Sequence, residues 1–200
     1  QLPVWQEFKD FDGFGIQSFA NIIGEAGDIG AYRSPAALWK RMGVAVVGGR
    51  RQGQPGPNAT SDDWIAHGYN KKRRAVMWNV GEAITYTRGH YATIYRERKE
   101  VERQKAAAEG LKVKPSGSIG KKEAHLCRSD GHIDNRSRRY MEKRLLKDLW
   151  KAWRRGSAAA PVPDGQDAPP DDGGADGGGG QARRDTQQPI AAAVDYEDAA

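Results

Sequence analysis

Residues 134–155 read DNRSRRYMEKRLLKDLWKAWRR, and their periodicity decides the fold. Met141, Leu145, Leu146, Leu149, Trp150 and Trp153 recur at the spacing of one helical face, while Arg136, Arg139, Lys143, Lys147, Lys151 and Arg154 follow at steps of three and four on the other side. This predicts a helix from about Asp134 to Arg155 that docks by its apolar side and turns about five turns of positive charge outward. Such a row suits a phosphate backbone. A packing helix with incidental basicity, or one lying on a membrane surface, carries a similar pattern; the near absence of acids along the row favours nucleic acid.

Working towards the N-terminus, a second long helix is predicted over about His90 to Glu109 with Gly110 as its stop, since Arg96/Glu100, Arg98/Glu102 and Glu102/Lys105 stand at helical contact spacing. Its apolar residues thin out after Ile94, which points to a solvated arm or coil partner for the later half rather than a core element. Leu111–Lys122 between the two helices reads as a basic linker. Asn70 caps a further helix of about five turns, whose first turn is Lys71-Lys72-Arg73-Arg74. Cations there meet an already positive helix end at a cost of about 0.3–1 kcal/mol each, so the run implies a partner that supplies negative charge; a merely solvated face is the alternative.

Gly48–Thr60 has no periodicity and reads as a mobile loop. Ser34-Pro35 starts a helix, with Ser34 as N-cap and Pro35 at the first helical position, and Gly43 closes it. Before it, a short helix ending near Asp10 is joined by a tight Gly13-Phe14-Gly15 turn to a helix from Ile16 to about Ala26. That pattern is a helix-hairpin-helix: Gly13 and Gly15 let the backbone approach a ligand, and the second helix offers free N–H groups to a DNA phosphate. A tight connection between two packed helices uses glycine in the same way. The expected fold class is therefore mainly α: a helix-hairpin-helix domain over residues 1–90, a charged helical extension with its basic linker and basic helix over 91–155, and a disordered acidic tail over 156–200 that is rich in Ala, Gly, Pro and Asp.

Charge divides along the same line. Residues 1–155 hold 30 Lys/Arg against 17 Asp/Glu, and residues 156–200 hold 2 against 9. A basic body favours a polyanionic partner, because neutralised phosphates release their counterions. The mean hydropathy of −0.81 leaves a modest core and argues against a large buried catalytic cavity. The single Cys127 excludes an internal disulfide and is what a cytoplasmic protein carries without consequence. No apolar run approaches the roughly 18–20 residues of a membrane span, so no membrane partner is expected. His125, Cys127 and His132 lack a paired Cys-x-x-Cys, so no metal site is assigned. Asp62-Asp63 could hold magnesium but reads better as the start of a helix, and no Ser/His/Asp arrangement follows from spacing. The chain opens on Gln1, which suggests an upstream domain.

Four blocks then stand in series: Gly13-Phe14-Gly15; Ile22-Ile23-Gly24-Glu25-Ala26-Gly27-Asp28-Ile29; Tyr32-Arg33-Ser34-Pro35-Ala36-Ala37-Leu38; and Met42-Gly43-Val44. Together with the basic helix start at Asn70–Arg74, over about residues 11–84, they resemble the C-terminal domain of insertion-sequence transposases. These enzymes pair a RuvC-like Asp-Glu-Asp-Asp nuclease domain with a downstream serine-bearing domain and are relatives of the pilin-gene DNA invertases. The resemblance implies DNA cleavage and strand exchange, in which acids of the upstream domain bind divalent metal (magnesium) and a serine of this domain attacks the phosphodiester. It also implies a homo-oligomer at full length, a guide RNA supplied by the element, and a bacterial cytoplasmic protein at the nucleoid.

The family's serine follows shortly after the Gly43-Val44 block, whereas Gly48–Gly53 holds none here. Ser61, followed by Asp62, is the nearest candidate nucleophile, with Arg50, Arg51 and Arg73 as its phosphate pocket; a cap for the helix carrying Trp64 is the structural alternative. The DNA contacts expected are Gly13, Gly15, Arg50, Arg51, Lys71, Lys72, Arg73, Arg74, Arg136, Arg139, Lys143 and Lys147. The function expected is the DNA-binding and strand-transfer portion of a transposase, with no cofactor inside this chain. The alternatives are a non-catalytic nucleic-acid-binding accessory protein of phage or plasmid origin and a helical scaffold for an acidic protein.

Overall fold

The computed structural model describes residues 4–158 except 48, 54 and 57. The body is mainly helical, as its periodicities require. Among the described residues the helices are α1 (Trp5–Phe8), α2 (Ile16–Ala26), α3 (Pro35–Arg41), α4 (Ser61–His67), α5 (Lys71–Thr85), α6 (His90–Ala108) and α7 (Asp130–Ala158). Helix α7 starts four residues before the expected Asp134 and runs through 156–158, the first residues assigned to the acidic tail; the rest of that tail, from 159, lies outside the described residues.

Local chemistry sets most of the boundaries. The Ser34 hydroxyl accepts from the Ala37 N–H at 3.3 Å, and Pro35 opens α3. The Asn70 side chain accepts from the N–H groups of Lys72 (2.9 Å) and Arg73 (3.2 Å). Helix α6 ends where Gly110 turns to φ 72°, with the Leu111 N–H donating back to the Ala106 carbonyl at 2.8 Å. The cap of α4 is Thr60, not Ser61: the Thr60 hydroxyl accepts from the Asp63 N–H, and the Asp63 carboxylate returns the bond.

Helix α7 is the axis of the molecule rather than an element laid on its side. Ile133, Met141, Leu145, Leu146 and Leu149 are fully buried, each contributing roughly 1.5–3 kcal/mol by leaving water. Trp150 and Trp153 pack against the same core. Its partners come from the whole chain: α6, α5, α3 and the turn Ile29–Ala31 all lie against it. The boundary expected after residue 90 falls inside one continuous core, in which Tyr91, Ala92 and Tyr95 of α6 join Phe14, Ile22 and Met77.

The later half of α6 is packed and not a solvated arm. It runs antiparallel to α7, with Tyr91 donating to Asp148 at 3.0 Å at one end and Glu102 meeting Arg136 at the other. Glu102 and Ala106 have no exposed surface. A charged residue hides the core face here, because periodicity in apolar residues cannot register a buried glutamate.

Two short strand pairs replace parts read as loop and linker. Strand β1 (Val46–Val47) pairs antiparallel with β2 (Arg50–Arg51), and β3 (Lys112–Lys114) pairs parallel with β4 (Cys127–Ser129). The first pair is tied down by Gln52, whose side-chain amide donates to the carbonyls of Lys40 (3.0 Å) and His67 (3.2 Å). Among the described residues no helix is long and apolar enough to cross a membrane.

Candidate nucleic-acid interface

The four cations opening α5 part company. Lys71 is exposed. Lys72 reaches Glu25 of α2 at 2.7 Å, and Arg73 lies 3.7 Å from the same carboxylate. The Lys72 ammonium, with Arg73 and Arg41 behind it, holds the Glu25 carboxyl below its ordinary range. Arg74 turns inward and grips both oxygens of Glu142, at 3.0 and 3.2 Å. Much of the negative charge that this helix start called for is thus internal, drawn from α2 and α7.

The basic row of α7 also divides. Lys143 sits 4.4 Å over the Trp39 ring, and Trp39 donates to the Lys143 carbonyl at 3.0 Å, so this part of the row faces α3 rather than solvent. Lys147 is half-buried. Towards the N-terminal end, the Arg136 Nε lies 2.7 Å from the buried Glu102, which the Arg98 guanidinium also meets at 2.6 Å. Arg139 is largely covered, and its Nε is buried without a hydrogen-bond partner.

This N-terminal half is where distant segments meet. Burial, then repulsion from Arg74 of α5 and from Arg51 of the β1–β2 hairpin, pulls the Arg139 guanidinium of α7 down from its ordinary value. His132, in the first turn of α7, feels Arg136, Arg128 of β4 and Arg51. Six guanidinium groups (Arg51, Arg74, Arg98, Arg128, Arg136 and Arg139) stand here against Glu102, Glu109 and Glu142, with Asp130 opening the same helix and Asp134 paired with Lys99. Glu102 and Glu142 are fully buried and already gripped by cations, and Glu109 meets Arg128 at 2.8 Å. What remains is a positive surface of planar, multidonor groups, which matches the oxygens of a phosphodiester.

Of the residues singled out by sequence, Arg51, Arg74, Arg136 and Arg139 converge here, whereas Lys143 does not; the Arg50 side chain lies outside the described residues. Arg128 and His132 escaped sequence reading. Only the parallel β3–β4 pairing brings Arg128 to the head of α7, and nothing in local spacing signals it.

The two turn glycines differ in use. Gly13 has φ 78°, and a β-carbon there would stand 2.8 Å from the Ile84 Cα and 3.0 Å from the Ala83 carbonyl, so its bareness serves the contact with α5. Gly15 caps α2 with open space around it.

Ser61 is exposed at the start of α4. Asp63, two residues on, is spent on Thr60, whose N–H and hydroxyl both donate to it at 2.8 Å. An open depression beside α4 is lined by Val47, Pro55, Asp63 and His67 among others, but not by Ser61. Among the described residues no base hydrogen-bonds to the Ser61 hydroxyl, and no three His, Cys, Asp or Glu side chains stand together as metal ligands. Compared with family models, curated proteins and solved structures, the chain finds no match.

Proposed function

We propose that this chain is a DNA-binding module whose interface is the arginine surface at the N-terminal half of α7. The observation that carries the reading is the gathering of Arg51 from the hairpin and Arg128 from β4 at the end of α7 that holds Arg136 and Arg139, with the nearby buried carboxylates already gripped by cations. A polyanion supplies the charge that this surface lacks. The block resemblance over residues 11–84 gives the setting: the DNA-binding and strand-transfer portion of an insertion-sequence transposase, acting at the nucleoid as an oligomer, with its magnesium-binding acids in another domain and Ser61 as attacking group.

One observation favours a second reading, a nucleic-acid-binding accessory protein without catalysis. Among the described residues no base hydrogen-bonds to the Ser61 hydroxyl, and Asp63, two residues on, is committed to the Thr60 cap. Both readings share the interface, and a salt titration of duplex binding tests it. Affinity falling steeply and linearly in log–log form with added salt supports phosphate contact, whereas absence of binding in dilute buffer sinks both. Ser61→Ala, assayed for recombination together with the upstream nuclease domain, separates them: loss of recombination with DNA affinity retained supports the transposase.

A further inference from the structure

We infer that Trp78 is a stacking site for an unpaired nucleobase, so that this interface takes a single strand or an opened end of DNA in preference to closed duplex. The inference rests on the DNA-binding reading and adds to it the form of the nucleic acid.

Trp5, Trp39, Trp150 and Trp153 pack against the core, and Trp39 and Trp150 also donate their N–H groups to the carbonyls of Lys143 and Tyr32. Trp78 is placed otherwise. It stands on α5 with 41% of its surface exposed, and among the described residues its indole N–H has no acceptor. The ring is nevertheless fixed. The Arg138 guanidinium of α7 lies 3.6 Å over it, and Arg74, one turn earlier on α5, lies 5.8 Å from it. Both cations are anchored: Arg138 by Glu82 and by the Asn135 side chain at 3.3 Å, Arg74 by both oxygens of Glu142. Arg138 is itself buried, so it backs the ring from within and the exposed side of the indole faces solvent.

Charge selects what covers that side. With two cations already against the ring, a further lysine or arginine is disfavoured, and a flat group carried on an anion is favoured. A nucleobase is such a group, since each base has a π-face and hangs from a phosphate backbone. The surroundings continue the match. Arg74 belongs to the arginine surface, and Arg139 follows Arg138 on α7. Lys71, which is exposed, precedes Trp78 by seven residues and so lies on the same side of α5, about 10 Å along the axis. Glu82 stands one turn on in the other direction, so the strand leads from Trp78 towards Arg74 and Lys71. In closed duplex both faces of a base are covered by its neighbours. Only a base in a single strand, at a frayed end or swung out of the helix can lie on a ring fixed to a helix surface.

The test is the binding, by the full chain, of a fluorescein-labelled oligothymidylate of about 20 residues, set against a strand of equal length made of abasic sites and against a closed hairpin duplex. Wild type should bind the thymidylate more tightly than the abasic strand, whose phosphates are the same. Trp78→Ala should lose about 5- to 150-fold in affinity for the thymidylate, with its affinity for the other two probes and its salt slope unchanged; Trp78→Phe, which keeps a ring, should retain most of the affinity. Equal thymidylate affinity in wild type and Trp78→Ala, or an equal loss for all three probes, overturns the inference and leaves the interface standing. Self-association of the wild type that Trp78→Ala abolishes, with thymidylate binding intact, assigns the ring to a second copy and likewise overturns it. No binding of any probe in dilute buffer overturns the DNA-binding reading itself. If Trp78→Ala fails to fold, the wild type decides: the indole N–H resonance that Trp78→Phe lacks must shift on addition of thymidylate and stay in place with the abasic strand, and a resonance unmoved by thymidylate overturns the inference.

Discussion

Arg74 and Glu142 stand 68 residues apart in sequence, yet one guanidinium nitrogen reaches both carboxylate oxygens, and the carboxylate has no exposed surface. A pair of this kind joins α5 to α7 and helps fix the register in which Arg51 comes to Arg139.

Above about pH 7, where the Glu142 carboxyl is ionised, removing Arg74 leaves that charge buried without its counter-ion. Arg74→Ala should therefore cost about 3–5 kcal/mol in denaturant-induced unfolding. Replacing both partners, as Arg74→Met with Glu142→Leu, should recover most of the loss, since two apolar side chains of similar volume need no counter-charge. An Arg74→Ala protein as stable as wild type would remove the pair from the list of what holds the fold. For DNA binding the consequence is practical: truncating Lys71 to Arg74 together confounds affinity with folding, and Lys71→Ala alone is the cleaner probe.

The Glu142 carboxyl is pushed up to about 7 by its burial, against the pull of Arg74, Arg139 and Arg138. The folded chain then holds a proton that the unfolded chain has released, so the stability from this group is present below the ordinary carboxylate value and lost as pH rises towards 7. Thermal unfolding of wild type and Glu142→Gln between about pH 5 and 8 checks this, using an interval in which the other histidines and acids act on both proteins alike. The wild-type midpoint should fall relative to the variant as pH rises; parallel curves would show that Glu142 is ionised throughout.

Gly81 lies in the interior of α5, where Ala is ordinarily better by about 1 kcal/mol. Here a β-carbon would stand 2.6 Å from the Glu142 carboxylate and 3.0 Å from Arg138. Arg138 cannot readily give way, since it stacks 3.6 Å over the Trp78 ring and pairs with Glu82. Gly81→Ala should thus destabilise by about 1–3 kcal/mol, as overpacking does, and a calorimetric midpoint at or above wild type would show the approach to be looser than described.

Sequence discloses what local chemistry decides. The caps at Ser34 and Asn70, the stop at Gly110 and the apolar face of α7 were legible because each depends on residues within one or two turns. The buried charges were not: Glu102, Arg138 and Glu142 look like surface residues until a partner helix supplies the counter-ion. The same gap explains the basic row of α7, whose regular spacing implied one open face, whereas α3 covers Lys143 and the hairpin brings Arg51 to Arg139. Convergence of segments that far apart is a property of packing, and no window on the sequence contains it.

That division of the row yields the sharpest test of where DNA lies. Arg51 is exposed on a hairpin held by Gln52, so Arg51→Ala should leave stability nearly unchanged, within about 0.5 kcal/mol. If its guanidinium contacts a phosphate, the slope of log affinity against log salt should become shallower by about 0.9, uniformly across DNA sequences. Lys143→Ala should behave in the opposite way. It forfeits the contact with Trp39, worth about 0.5–2 kcal/mol of stability, and leaves the salt slope as it was. A slope that responds to Lys143 and not to Arg51 would move the interface to the far half of α7, where the row faces α3, and the arginine surface at its N-terminal half would lose its assignment.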